Sequence, residues 1–293
     1  MRAALVLLCG AWVLAPVDAR ALDKQGSAHG GKVDYDDHGS ALTGSLLFGV
    51  AIYNPSYAAR PDNSGHALLR VAPHFDFDII GRHLSIPIDV NVFTDRDRVG
   101  VKMFLPSELD VITGVTSTWP LGEPTAIEFG ARFERDMPVD RQTYTQSYAD
   151  LRTRLLYSFA PIWRGLEQAL DGGNLSGSCT LGWFAYNPSY AARPDNSGRA
   201  LLRYGLGVNL DALHHHLGVG VDLTSFTDRR TNGVEPTELD LTPSVSYRLG
   251  RTQLQLAYER DMPIDRTHLV QQLVMAAATF DFRVFPGEPA EVK

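Results

Sequence analysis

Acids and arginines stand side by side twice along this chain, in the same order. "FERDMPVDR" at 133–141 returns as "YERDMPIDR" at 258–266, and "FTDR" at 93–96 returns at 226–229. Carboxylates and guanidinium groups at this spacing can build a charged constriction, a ligand site, or salt bridges that brace a loop. The set is Arg60, Asp62, Asp95, Arg96, Arg135, Asp136 and Arg141, with counterparts Arg193, Asp195, Asp228, Arg229, Arg260, Asp261 and Arg266. In a constriction, Arg135 and Arg260 would set ion selectivity. In braces, the same residues would hold loops through salt bridges and Asx-turns. "PDNSG" (61–65 and 194–198) is turn chemistry that needs no ligand.

Catalytic constellations are thinner. His38 with Ser40, and Ser64 with His66, offer the serine and histidine a hydrolase would need. His38 precedes the first strand-like segment, however, and Arg199 replaces His66 in the second copy. His214, His215 and His216 are adjacent, and neighbours on a strand point to opposite faces, so the run reads as a tight polar turn. The clustered acids of the long loops could bind Ca²⁺ weakly, although they lack the spacing of a calcium loop. No enzyme, cofactor or metal site is expected.

The elements that must position these residues are strands. "YNPSYAARPDNSGHALLR" (53–70) recurs at 186–203 with one change, and "PSELDV" (106–111) matches "PTELDL" (236–241), so the chain contains two similar halves. Within each half the apolar period is two, the strand signal. Ala67, Leu69, Val71, Phe75, Phe77 and Ile79 alternate with Arg70, His74, Asp76 and Asp78. The same test predicts strands at 44–53, 66–80, 83–94, 107–119, 125–134 and 145–159, then at 177–186, 199–212, 215–227, 237–249, 252–260 and 269–285. Proline at 73, 87 and 243 argues against three of them, because each deletes a ladder hydrogen bond.

Tight connections ("IIGRHL", "WPLGEPTA", "ALHHHL", "RLGRTQ") alternate with long ones. The last segment, "MAAATFDFRVF", ends on an aromatic before a polar tail and resembles the closing strand of bacterial outer-membrane barrels. The resemblance to that class implies an all-β fold: a closed antiparallel transmembrane β-barrel of about twelve strands, porin-like, built from two six-stranded halves. It implies long loops outside and both termini in the periplasm. A six-stranded half alone would leave unpaired edges in lipid, which two joined halves remove. A pair of soluble β-sandwiches would show the same alternation and is the competing fold.

The organisation expected is a signal peptide at 1–21, a polar segment at 22–43, half-barrels at 44–159 and 177–285, a linker at 160–176 with a short helix, and a polar tail at 286–293. The leader reads as secretory because an apolar run from Ala3 to Leu14 precedes Ala19-Arg20-Ala21. The whole chain carries 27 basic and 34 acidic residues. Cleavage after Ala21 would remove Arg2, Arg20 and Asp18, giving 25 against 33, a charge of −8 that makes nucleic acid an unsuitable partner. Cys179 would then be the single cysteine, so no intrachain disulfide forms.

The polar face of the expected strands carries acids at Asp76, Asp78, Asp89, Glu108, Asp110, Glu128, Glu134, Asp150, Asp211, Asp222, Glu238, Asp240, Glu259 and Asp281. Its bases are Arg70, Arg132, Arg152, Arg154, Arg203, Arg248 and Arg283. Fourteen acids against seven bases predicts a lumen that concentrates cations. The expected function is an outer-membrane channel for small solutes or ions, with membrane lipid its other partner. The alternatives are a closed barrel that binds a partner through its repeated loops and, less favoured, an outer-membrane lipid hydrolase.

Overall fold

The computed structural model describes residues 41–53, 67–79, 83–95, 105–122, 124–139, 146–159, 165–186, 200–228, 234–264 and 271–285. Twelve strands run through them: β1 (Ala41–Tyr53), β2 (Ala67–Ile79), β3 (Leu84–Asp95), β4 (Pro106–Gly122), β5 (Thr125–Pro138), β6 (Gln146–Ser158), β7 (Asn174–Tyr186), β8 (Ala200–Ala212), β9 (Leu217–Asp228), β10 (Pro236–Leu249), β11 (Thr252–Pro263) and β12 (Gln271–Phe285). Each pairs antiparallel with its chain neighbours, and β1 pairs with β12, so the sheet closes into one barrel. Closure leaves no strand edge unpaired. One helical turn, α1 (Leu166–Ala169), lies between β6 and β7.

Period two in the sequence becomes outside and inside in the barrel. Phe48, Val50 and Ile52 of β1, Phe129 and Phe133 of β5, and Leu254 and Leu256 of β11 are exposed on the outer wall, Ile52 at 65%. Trp119, Trp183 and Tyr247 join them. An apolar surface wrapped round a whole barrel is stable against hydrocarbon, not water, which argues against the sandwich alternative. Among the described residues no helix is long and apolar enough to cross a membrane.

The prolines are accommodated by opening one side of the ladder locally. Pro73 keeps its place opposite Leu46, while the pairing of β2 with β3 skips from Val71 to His74. Pro87 faces Asp76, and the β3–β4 pairing skips from Ser85 to Ile88. Pro243 faces Val221, and the β10–β11 pairing skips from Leu241 to Ser244. A residue without an N–H loses one bond, and its partner on the other side holds the strand in register.

Several boundaries differ from the sequence expectation. β1 starts at Ala41, not 44, because Leu42 is paired with Phe285. β5 runs to Pro138 and β11 to Pro263, each past the point where alternation fades in the sequence. The described part of the linker holds a single helical turn, preceded by Gly165 at φ 85° and followed by Gly172 at φ 80°.

Candidate functional site

The repeated motifs meet at the long-loop end of the barrel, where they form the same hydrogen-bonded clasp twice. Pairing shifts register between Ala67 and Arg70, and again between Ala200 and Arg203. Such bulges leave a backbone N–H without a ladder partner. Leu69 N–H donates to Thr94 Oγ1 at 3.2 Å, and Leu202 N–H donates to Thr227 Oγ1 at 3.0 Å. Next in the clasp, Ser107 Oγ donates to the Phe93 carbonyl and Thr237 Oγ1 to the Phe226 carbonyl, at 3.2 and 3.3 Å. Ser107 O in turn accepts from Val139 N–H at 2.9 Å, and Thr237 O from Ile264 N–H at 2.8 Å. The motifs "FTD", "P(S/T)EL" and "DMP(V/I)" are thereby joined into one structural unit in each half. This is bracing by hydroxyl and backbone.

Below the clasp the inner wall is charged. The strand register puts Arg70, Asp78, Asp89, Glu108, Asp110 and Glu134 on the inner face of β2–β5. Arg203, Asp211, Asp222, Glu238, Asp240 and Glu259 lie on that of β8–β11. Many are cross-linked. His74 Nδ1 lies 2.6 Å from Asp89 Oδ1, and Ser85 Oγ donates to Asp76. Arg70 donates twice to Asn91 Oδ1, at 2.7 and 3.0 Å, with its guanidinium 5.8 Å from the centre of the Phe93 ring. Arg132 and Tyr148 both donate to Glu134 Oε2, at 2.7 and 2.5 Å. Arg154 is held by Glu128 at 3.3 Å, and Arg248 by Asp281 at 2.8 Å.

The two halves differ in where their arginines lie. Glu134 faces Tyr148 across β5 and β6, as Glu259 faces Leu273 across β11 and β12. Counted from those pairs, the places of Arg132, Arg152 and Arg154 are taken by Ala257, Ala277 and Thr279. Guanidinium groups therefore gather on the β5–β6 arc. Across β12, β1 and β2, Ala277, Leu47 and Ala72 pack instead as a buried apolar cluster.

Among the rim candidates, the structure separates neighbours. Arg135 pairs with Val111, and Arg260 with Leu241, on the outer face, and both are exposed. Both therefore stand on the outer wall and not in the barrel interior, because adjacent strand residues point to opposite walls. Asp136 and Asp261 point inward, each directly opposite an inner-wall acid, Asp110 and Asp240 respectively. Adding them raises the inner-face acids from fourteen to sixteen, against six arginines, among the described side chains. Asp95 and Asp228 end β3 and β9. Arg60, Asp62, Arg96, Arg141, Arg193, Asp195, Arg229 and Arg266 lie outside the described residues, as do His38, Ser40, Ser64 and His66.

The histidine run forms the tight turn between β8 and β9, with Leu213, His214 and His215 at positive φ. Its rings take three separate partners: the Asp171 carbonyl for His214, Asp211 for His215 and the Arg248 carbonyl for His216. They do not converge on one point.

Missed by the sequence reading were the inward placement of Asp136 and Asp261 and the hydroxyl clasp.

No protein-family model matches the chain, and no curated protein matches it. Among solved structures it is similar to the NanC porin (13% identity over 82% of this chain and 100% of that one, TM-score 0.46). It is also similar to LpxR from Salmonella typhimurium (12% identity, 81% and 100%, TM-score 0.44) and to the outer membrane phospholipase A from Escherichia coli (10% identity, 81% and 92%, TM-score 0.45). At these identities the likeness concerns the fold alone.

Proposed function

We propose that the chain is an outer-membrane barrel that passes small solutes and, through its acidic inner wall, prefers cations. One observation carries the reading: on strand after strand, an apolar outer wall backs an inner wall of ionisable side chains with acids in excess. Side chains already fill a ring of about eight strands, so a twelve-stranded ring leaves width for water. A negative wall around that water raises the local concentration of cations and lowers that of anions. With an even number of strands both ends of the barrel fall on the short-turn side. That side is then periplasmic, and the clasps face outward.

The test is single-channel recording of the refolded chain in a planar bilayer under a salt gradient. Discrete steps with a cation-selective reversal potential support the reading, and steps with an anion-selective potential refute the acidic filter. Silence from a folded, inserted barrel favours a second reading, a closed barrel that acts through its long loops. The observation behind that alternative is the ion pairing inside: Arg132–Glu134, Arg154–Glu128 and Arg248–Asp281 tie inner-wall charges to one another.

A further inference from the structure

Two carboxylate triads stand on the inner wall just below the clasps. Glu108, Asp110 and Asp136 form one, and Glu238, Asp240 and Asp261 the other. They occupy matching places in the repeated motifs, two acids from "P(S/T)ELD" and one from "ERDMP". Within each triad the two aspartates face each other directly across a strand pair. Like charges in that position destabilise a sheet unless something neutralises them. In each triad one oxygen from every residue lies within 4.8 Å of the others. Oxygens bound to a single ion at 2.3–2.6 Å stand at most about 5 Å apart, so the spacing suits one hard cation.

A second observation points the same way. Asp110 is only 6% exposed; its carboxyl group is hydrogen-bonded to Glu108, and its Oδ1 has no hydrogen-bond partner. The guanidinium groups that act on it are Arg70 and Arg132. Arg70 donates to Asn91 and Arg132 to Glu134, and neither bonds Oδ1. Asp240, in the equivalent place, also has a buried Oδ1 without a partner. A buried carboxylate oxygen left unbonded is costly, and a cation is the ligand that satisfies several such oxygens together.

We propose that each triad binds one divalent, oxygen-seeking cation of the Ca²⁺ type, giving two structural ion sites that pin β4 to β5 and β10 to β11. The sites require no conduction, and a closed barrel would hold the ions equally well. Their failure and the failure of the channel reading are therefore separate results.

The test is calorimetric titration of metal-free, refolded full chain in a nonionic detergent with CaCl₂ and then MgCl₂, alongside melting with and without Ca²⁺. The expected result is two Ca²⁺ per chain, one in Asp110→Asn, one in Asp240→Asn and none in the double variant. The Ca²⁺-dependent rise in melting temperature should vanish in the double variant. Arg135→Gln, on the outer wall, should keep both ions. Should an Asn variant fail to refold by gel mobility, Asp136→Asn and Asp261→Asn replace it with the same expectation. The wild-type stoichiometry stands as a test in any case. Absence of Ca²⁺ heat and of any melting shift in the wild type overturns the proposal, as does binding that survives the double variant.

Discussion

Leu202 and Thr227 are joined across a bulge by a backbone N–H donating to a side-chain hydroxyl at 3.0 Å, and Leu69 and Thr94 repeat the bond at 3.2 Å. Thr227 is wholly buried, so water cannot replace the hydroxyl if it is removed. Thr227→Val keeps the shape and deletes the acceptor, leaving the half-buried Leu202 N–H unsatisfied. Urea unfolding of the refolded barrel should show a loss of about 1–3 kcal/mol. Thr227→Ser should recover most of it. An unchanged midpoint for the valine variant would mean that the clasp is not bracing the strand ends.

Gly173 precedes β7 so closely that a Cβ there would run into the Asp211 carbonyl of β8. Gly49 on β1 has its nearest neighbour, Leu47 Cδ2, at 3.4 Å from an added Cβ. Gly173→Ala should therefore cost about 1–3 kcal/mol in the same unfolding assay, as overpacking against backbone does. Gly49→Ala should shift the midpoint far less. Equal effects at the two sites would refute the steric account of the linker junction.

How much of this was legible in the sequence depends on what each residue faces. The twelve strands were readable because lipid accepts apolar side chains while the interior keeps mostly polar ones, so alternation runs from Leu69 to Ile79 with Ala72 its one apolar inward residue. Asp136 and Asp261 were not, because Arg135 and Arg260 stand on the outer face beside them and both walls then look polar. Pairings such as Leu69 with Thr94, 25 residues apart, depend on a bulge that no local pattern announces. The prolines misled in the other direction. Each was weighed against a strand, yet a barrel can open its ladder on one side and keep register on the other.

Arg154 and Glu128 form an inner-wall pair whose side chains are 10% and 12% exposed. Removing one member strands the other charge, whereas removing both need cost little. Arg154→Met should destabilise by about 3–5 kcal/mol, and the double variant with Glu128→Leu should recover most of the loss. A double-mutant cycle in denaturant measures the coupling. Additive losses would mean that solvent, not the partner, satisfies each group.

The division between inner and outer wall makes opposite predictions for residues that are close in sequence. Asp222 and Glu259 face inward, where the proposed acidic filter would include them. Arg135 and Arg260 lie near the long-loop end of the barrel, on the outer side of the wall. Salt screens charges at the solvent-exposed outer surface over about 10 Å, whereas charges facing a narrow lumen act directly on the permeating ion. Replacing Asp222 with Asn and Glu259 with Gln should lower the cation-to-anion permeability ratio by about twofold. The pair Arg135→Gln and Arg260→Gln should leave it where it was. Reversal potentials in a KCl gradient read both. A shift on neutralising the outer arginines, with none on neutralising the inner acids, would place the selectivity-determining charge in the loops and overturn the acidic inner wall as the filter.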